Sequence, residues 1–170
     1  MSERFRGMIG ENRQVATKGR RKRKDIYPST YKNDYWIDAF APGYREYERT
    51  LAEEYQSKGS QLKSGKWLVY VKRDNVDEVW QEIKEAVEDG ALGIAAKVST
   101  ALPSPLSTKS NTHVICVYTD DWTDEEDVMR VREELRKLGI VSNIPYKADI
   151  DTLEGKYRVS GHTRISKYHC

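Results

Sequence analysis

The sequence predicts an α+β fold: a mostly antiparallel sheet with helices packed on one face, preceded by a basic N-terminal arm. Three observations lead there. From Gly65 onward, short β-branched runs and helix-period segments follow one another in the order β-α-β-β-α-β. Each helix-period segment closes on a glycine, Gly90 and Gly139. The charge is also split along the chain. Residues 1–33 hold ten Lys or Arg against three acids, a balance of +7, whereas residues 34–170 hold nineteen against twenty-four, a balance of −5.

The arm comes first. Residues 1–26 carry few large apolar side chains and no sustained period, so this stretch is expected to be intrinsically disordered or ordered only by a partner. Its basic residues are Arg4, Arg6, Arg13, Lys18, Arg20, Arg21, Lys22, Arg23 and Lys24. A dense cationic arm on an acidic body is suited to meeting a polyanion, with RNA phosphates as the expected contacts. The competing reading of such an arm is a targeting signal or a solubilising tail.

Residues 27–64 form a tyrosine-rich collar punctuated by Pro42-Gly43. Tyr44, Tyr47, Leu51 and Tyr55 recur three or four apart, which predicts a short helix over about 44–55. These aromatics either pack on the body or serve a partner, by stacking on bases or contacting a protein.

Residues 65–170 form the α+β domain. Residues 66–72, KWLVYVK, read as a strand. Asn75 is placed to cap a helix in which Val76, Val79, Trp80, Ile83 and Val87 share one face. A second strand spans 92–100, a polar loop covers about 101–111, and a third strand runs over 112–119. Thr123 and Glu126 have capping-box spacing, opening a helix with Val128, Val131, Leu135 and Leu138 on one face. Further short strands are expected around 141–147 and 156–160.

Composition removes several classes. The apolar runs are strand-sized, so no segment spans a bilayer, and no apolar signal-peptide centre follows the N-terminal charges. Cys116 and Cys170 make neither a disulfide framework nor a metal-type pair. Cytoplasmic residence without metal or cofactor is the expectation. The acids between Asp120 and Asp127 sit where a helix macrodipole favours them, and no glycine-rich phosphate loop or nucleophile elbow is present. His162, His169 and Cys170 lack tight ligand spacing. The third strand, THVICVYT, offers Tyr118 where an RNA-recognition fold needs paired aromatics and a basic-glycine-aromatic run.

Four pieces, GKWLVYV at 65–71, LGIAAKVST at 92–100, HVICVYTDDWTDEEDV at 113–128 and YKAD at 146–149, resemble in order and spacing the family typified by basophilic leukaemia expressed protein, whose function is unassigned. The resemblance covers a little over half the chain and leaves the arm outside. It implies the fold of the cap-binding translation initiation factor 4E, a curved antiparallel sheet backed by helices. That factor grips methylated guanine between two tryptophans and neutralises its phosphates with basic residues. Here Trp67 and Trp80 fall at structural positions and no sandwich pair can be placed, so cap binding is not carried over.

The remaining chemistry lies on the strands. Lys97 interrupts a small, apolar strand, where a lysine must be paired or poised for use. Lys97, Lys147 and Arg158 are the expected cations of a phosphate or carboxylate site, with Ser99 and Tyr118 as hydrogen-bond donors. The plainer alternative has Lys97 at a sheet edge, paired with a carboxylate such as Asp149. An enzymatic version resembles phosphothreonine lyases, with Lys97 as base and His113 as acid. The leading expectation is a non-catalytic RNA-associated protein bound to the ribosome or another ribonucleoprotein.

Overall fold

The computed structural model describes residues 26–58, 62–105, 111–153 and 166–170. The whole set of basic arm residues, Arg4 to Lys24, lies outside them, as do Arg158, His162 and the strand expected around 156–160.

The described elements run β1 (Trp36–Phe40), α1 (Tyr44–Lys58), β2 (Gly65–Lys72), α2 (Arg73–Glu88), β3 (Ala95–Ser99), β4 (Thr112–Thr119), α3 (Glu125–Lys137), β5 (Pro145–Ala148), α4 (Asp149–Leu153) and β6 (Tyr168–His169). The strands form one curved antiparallel sheet in the order β1-β3-β4-β2-β5-β6. The β-α-β-β-α-β outline read from Gly65 onward is β2 to β5. The strand expected over 92–100 is shorter, because Leu92 N–H turns back to donate to the Ala86 carbonyl of α2 at 3.3 Å, and the backbone meets its sheet neighbours only from Ile94. Ile94 N–H donates to Tyr118 O at 3.0 Å, and its carbonyl accepts from Ala41 at 3.0 Å. A side chain at Gly93 would strike the Tyr118 carbonyl, so only glycine allows this approach.

Three elements were not read from the sequence: β1, the short helix α4 and β6. β1 lies within the tyrosine-rich stretch and pairs with β3 from Trp36↔Ser99 to Phe40↔Ala95. β6 is two residues long and closes on β5 through Tyr146↔Tyr168. Both helix starts also differ from expectation. Asn75 is not a cap, because the helix begins at Arg73 directly from β2 without a side-chain cap bond. In α3 the cap is Asp124 rather than Thr123. Its carboxylate accepts from Asp127 N–H at 3.1 Å, while the Thr123 hydroxyl donates to Asp121 at 2.6 Å.

The core lies between the sheet and helices α2 and α3. Val76, Trp80, Ile83 and Val87 of α2 and Val128, Val131 and Leu135 of α3 are buried against Trp67, Val69, Ile115, Val117 and Val98. The period-2 alternation of the strands places those residues on one face. Trp67 anchors α3, its indole N–H donating to the Val128 carbonyl at 3.0 Å. The fully buried Arg132 guanidinium donates to the carbonyls of Cys170, Ile140 and Ser142, each at 2.8 Å. It thereby ties the short β6 and the β5 approach to the helix layer.

Candidate ligand-binding face

The same alternation sends the other half of each strand to the opposite face, which neither α2 nor α3 covers. Three cross-strand rows can be followed there from the register. One row is Phe40, Ala95, Tyr118, Lys66 and Lys147, and the next is Asp38, Lys97, Cys116 and Leu68. Trp36 and Ser99 begin the third, continued by Val114 and Tyr70. Phe40 and Tyr70 are exposed, so large apolar surface remains open to solvent. Helix α1 leans over one end, with Tyr44 stacked on Phe40 at 4.6 Å between ring centroids and Tyr47 6.0 Å from Tyr44.

Lys97 occupies the middle of this face. Its ammonium lies over the Trp36 ring, 4.2 Å from the centroid, and 5.8 Å from that of Tyr118. Among the described residues it makes no ion pair. The expected pairing with Asp149 is not made, because Asp149 belongs to Lys66: the two form an ion pair, and the Ser64 hydroxyl donates to the other carboxylate oxygen at 2.7 Å. The Lys66 ammonium also lies 5.4 Å from the Tyr118 centroid, so two cations flank one phenol ring.

Electrostatics follow the burial. The Tyr118 phenol is held well above its usual range, first by burial and then by the neighbouring Cys116, Asp149 and Asp38, so it remains a neutral hydrogen-bond donor. Burial pushes the Cys116 thiol up to about 11, against the pull of Lys66 and Lys97. Burial, and then the charge of Lys66, draws Lys147 below its ordinary value, with Asp151 and Asp149 acting in the other direction. Tyr47 is pushed up to about 12 by burial and by acids including Asp120.

Of the proposed ligand-site residues, Lys97, Ser99, Tyr118 and Lys147 therefore share one face, and Arg158 lies outside the described residues. The Ser99 hydroxyl oxygen accepts from Val114 N–H at 2.9 Å, so that face of the serine is partly spent on the sheet itself. His113 does not join Lys97. It stands on the helix-covered side of β4, is 2% exposed, and its Nδ1 lies 2.7 Å from the Ser99 carbonyl. The paired base and acid of the lyase-like reading thus point to opposite sides of the sheet.

Sequence reasoning missed Lys66, Trp36 and Cys116 as neighbours of Lys97. Lys66 was within reach, since it alternates with the buried Trp67. Trp36 required β1 and its register. The tryptophans divide clearly. Trp67 and Trp80 are buried in the core, and Trp122 packs at the core's edge with Lys167 4.6 Å over its ring. Trp36 alone of the four belongs to the open face.

Among the described residues, no cluster of three or more His, Cys, Asp or Glu is arranged to hold a metal, and no helix is long and apolar enough to cross a membrane.

Comparisons with known proteins agree with the architecture. A family model described as basophilic leukemia-expressed protein Bles03 matches residues 44–153. Schistosome eIF4E complexed with m7GpppA and 4E-BP is similar in structure, with a TM-score of 0.55 at 16% identity over 95% of this chain and 81% of that one. The same factor with m7GpppG and 4E-BP gives 0.52 at 15% identity, with the same coverage. C. elegans eIF4E-3 in complex with the 4E-binding protein Mextli gives 0.46 at 19% identity, over 64% of this chain. The chain spans 59% of that C. elegans chain's length. At these identities the likeness is one of fold.

Proposed function

This chain belongs to the basophilic leukemia-expressed protein Bles03 family, and we propose that it is a non-catalytic RNA-associated protein whose open sheet face seats a nucleotide while its basic arm holds phosphates. One observation carries the proposal: the face that α2 and α3 leave uncovered sets Trp36 and Tyr118 among Lys97, Lys66 and the more deeply buried Lys147. Rings supply stacking surface that any base can use, and neighbouring ammonium groups neutralise the phosphates that come with it. The structural relatives are complexes with cap nucleotides and 4E-binding proteins, which favours a binding role over a reaction on this scaffold. The arm's balance of +7 over residues 1–33 adds affinity without base specificity. A ribosome or other ribonucleoprotein is the partner such an arm fits, with cytoplasmic residence. A protein partner for the tyrosine-rich stretch around α1 is compatible with the same reading.

The test is sedimentation of the natively expressed protein through a density gradient, with and without high salt and nuclease. Co-migration with ribosomal particles that is lost in salt is the expected result. Recovery in the light fractions under gentle conditions would overturn the particle-bound reading. Deleting residues 1–26 should weaken RNA binding and flatten its dependence on salt, since fewer counterions are then released. Unchanged affinity would remove the arm from the account.

A second reading, a domain for a small phosphate-bearing ligand, is favoured by the same three lysines. It predicts that the truncated chain keeps its full affinity for a mononucleotide. The lyase-like version has no such support, because Lys97 and His113 stand on opposite faces.

A further inference from the structure

We infer that the open face selects a phosphate-bearing ligand whose base is uncharged, and that Lys97 is the residue that turns away a base with a fixed positive charge, such as an N7-methylated guanine. The inference rests on the nucleotide-seat reading above and gives that seat a specificity.

An aromatic face attracts a cation through its quadrupole, and it has room for one at close range. In this protein that position is already taken. The Lys97 ammonium lies 4.2 Å from the Trp36 centroid and 5.8 Å from that of Tyr118. Its cross-strand partner Asp38 is exposed, and Lys97 makes no ion pair among the described residues, so its ammonium rests over the Trp36 ring. A cationic base stacking on Trp36 must either displace this ammonium, losing the internal contact, or lie beside it and meet like charge. Lys66 adds a second cation 5.4 Å from the Tyr118 centroid, although Asp149 offsets its charge.

A neutral base with phosphates meets the opposite situation. Its phosphate can draw Lys97 away from the ring, which frees the Trp36 face for the base and gives the ammonium a better partner. The lysine thus serves as an occupant in the free protein and as a phosphate ligand in the complex. No second tryptophan stands on this face to complete a clamp around a cationic base, because Trp67 and Trp80 are buried and Trp122 packs against the core. Selection by like-charge repulsion is a general route to specificity.

Calorimetric titration of the full chain with GTP and with 7-methyl-GTP tests this directly, repeated on Lys97→Met, which keeps the side chain's length and removes its charge. GTP should bind wild type about tenfold or more tightly than 7-methyl-GTP, since juxtaposed like charges cost at least that much. Lys97→Met should weaken GTP and narrow or reverse the ratio. A wild-type preference for 7-methyl-GTP would overturn this inference and leave the nucleotide seat standing. Failure of both nucleotides to bind would overturn the seat itself, and the inference with it.

Discussion

The two faces of the sheet are made of the same strands and have different chemistry. On the covered face, Trp67, Val69, Ile115 and Val117 meet α2 and α3, and the buried polar groups there have defined partners: the Trp67 indole on Val128, Arg132 on three carbonyls, His113 on Ser99. On the open face, aromatic rings alternate with lysines and large side chains such as Phe40 and Tyr70 meet solvent. The first face spends its residues on stability. The second carries rings and ammonium groups that neither α2 nor α3 covers. Exposed ring surface and a lysine that lies over a ring without an ion pair among the described residues have a plain use once a ligand supplies stacking and negative charge. The difference is what supports placing the proposed ligand seat on the open face.

That contrast can be broken most strongly from the covered side. Trp67→Ala removes the largest core side chain and its bond to Val128, and should cost about 3–5 kcal/mol in denaturant unfolding. A cost below about 1 kcal/mol would mean that the covered face does not carry the fold.

The second test is of pH. The folded Cys116 thiol is raised from an ordinary 9.0 to about 11, so its contribution is fully present below pH 9 and is lost as pH rises toward 11. The loss should approach about 2–3 kcal/mol, measured as unfolding free energy from pH 8 to 11. Cys116→Val should remove that part of the alkaline slope. An unchanged slope in the variant would show that the other alkaline groups dominate, with Tyr47 the first to examine.

On the open face the expected effects move from stability to binding. Trp36→Ala should weaken single-stranded RNA binding by about 1–3 kcal/mol, the worth of one stacked base, measured by anisotropy of a labelled oligomer. Its unfolding free energy should change less than that of Trp67→Ala, because Trp36 lies at the sheet's edge strand and is only partly buried. Smallest of all, Lys97→Met should alter stability by about 1 kcal/mol or less, the range of a partly exposed cation–π contact. A larger loss would make Lys97 a structural residue.

How far the sequence leads is visible in these same residues. β2, α2, β4 and α3 were legible because each shows its period over eight or more residues. β1 was not, since WIDAF is five residues long, carries an exposed Asp38 and sits among tyrosines that mask its alternation. β6 was beyond reach, because two residues carry no pattern and the adjoining Cys170 carbonyl is held by Arg132 from another element. The candidate face was half legible. Alternation alone places Lys97 and Ser99 on one side of β3 and Tyr118 on its own side of β4. Only the register shows that those sides coincide, that Trp36 lies beneath the Lys97 ammonium, and that Asp149 answers to Lys66. Side-chain partnerships across strands depend on pairings far apart in the chain, which local pattern does not encode.

The most direct test of the account maps amide chemical shifts on the full, isotopically labelled chain during titration with an unstructured RNA oligomer. The account predicts shifts at Trp36, Lys97, Tyr118, Lys66 and Lys147, together with the basic arm, while the outward faces of α2 and α3 stay still. Shifts confined to α2 and α3, or to the arm alone, would contradict the assignment of the open face as the ligand seat.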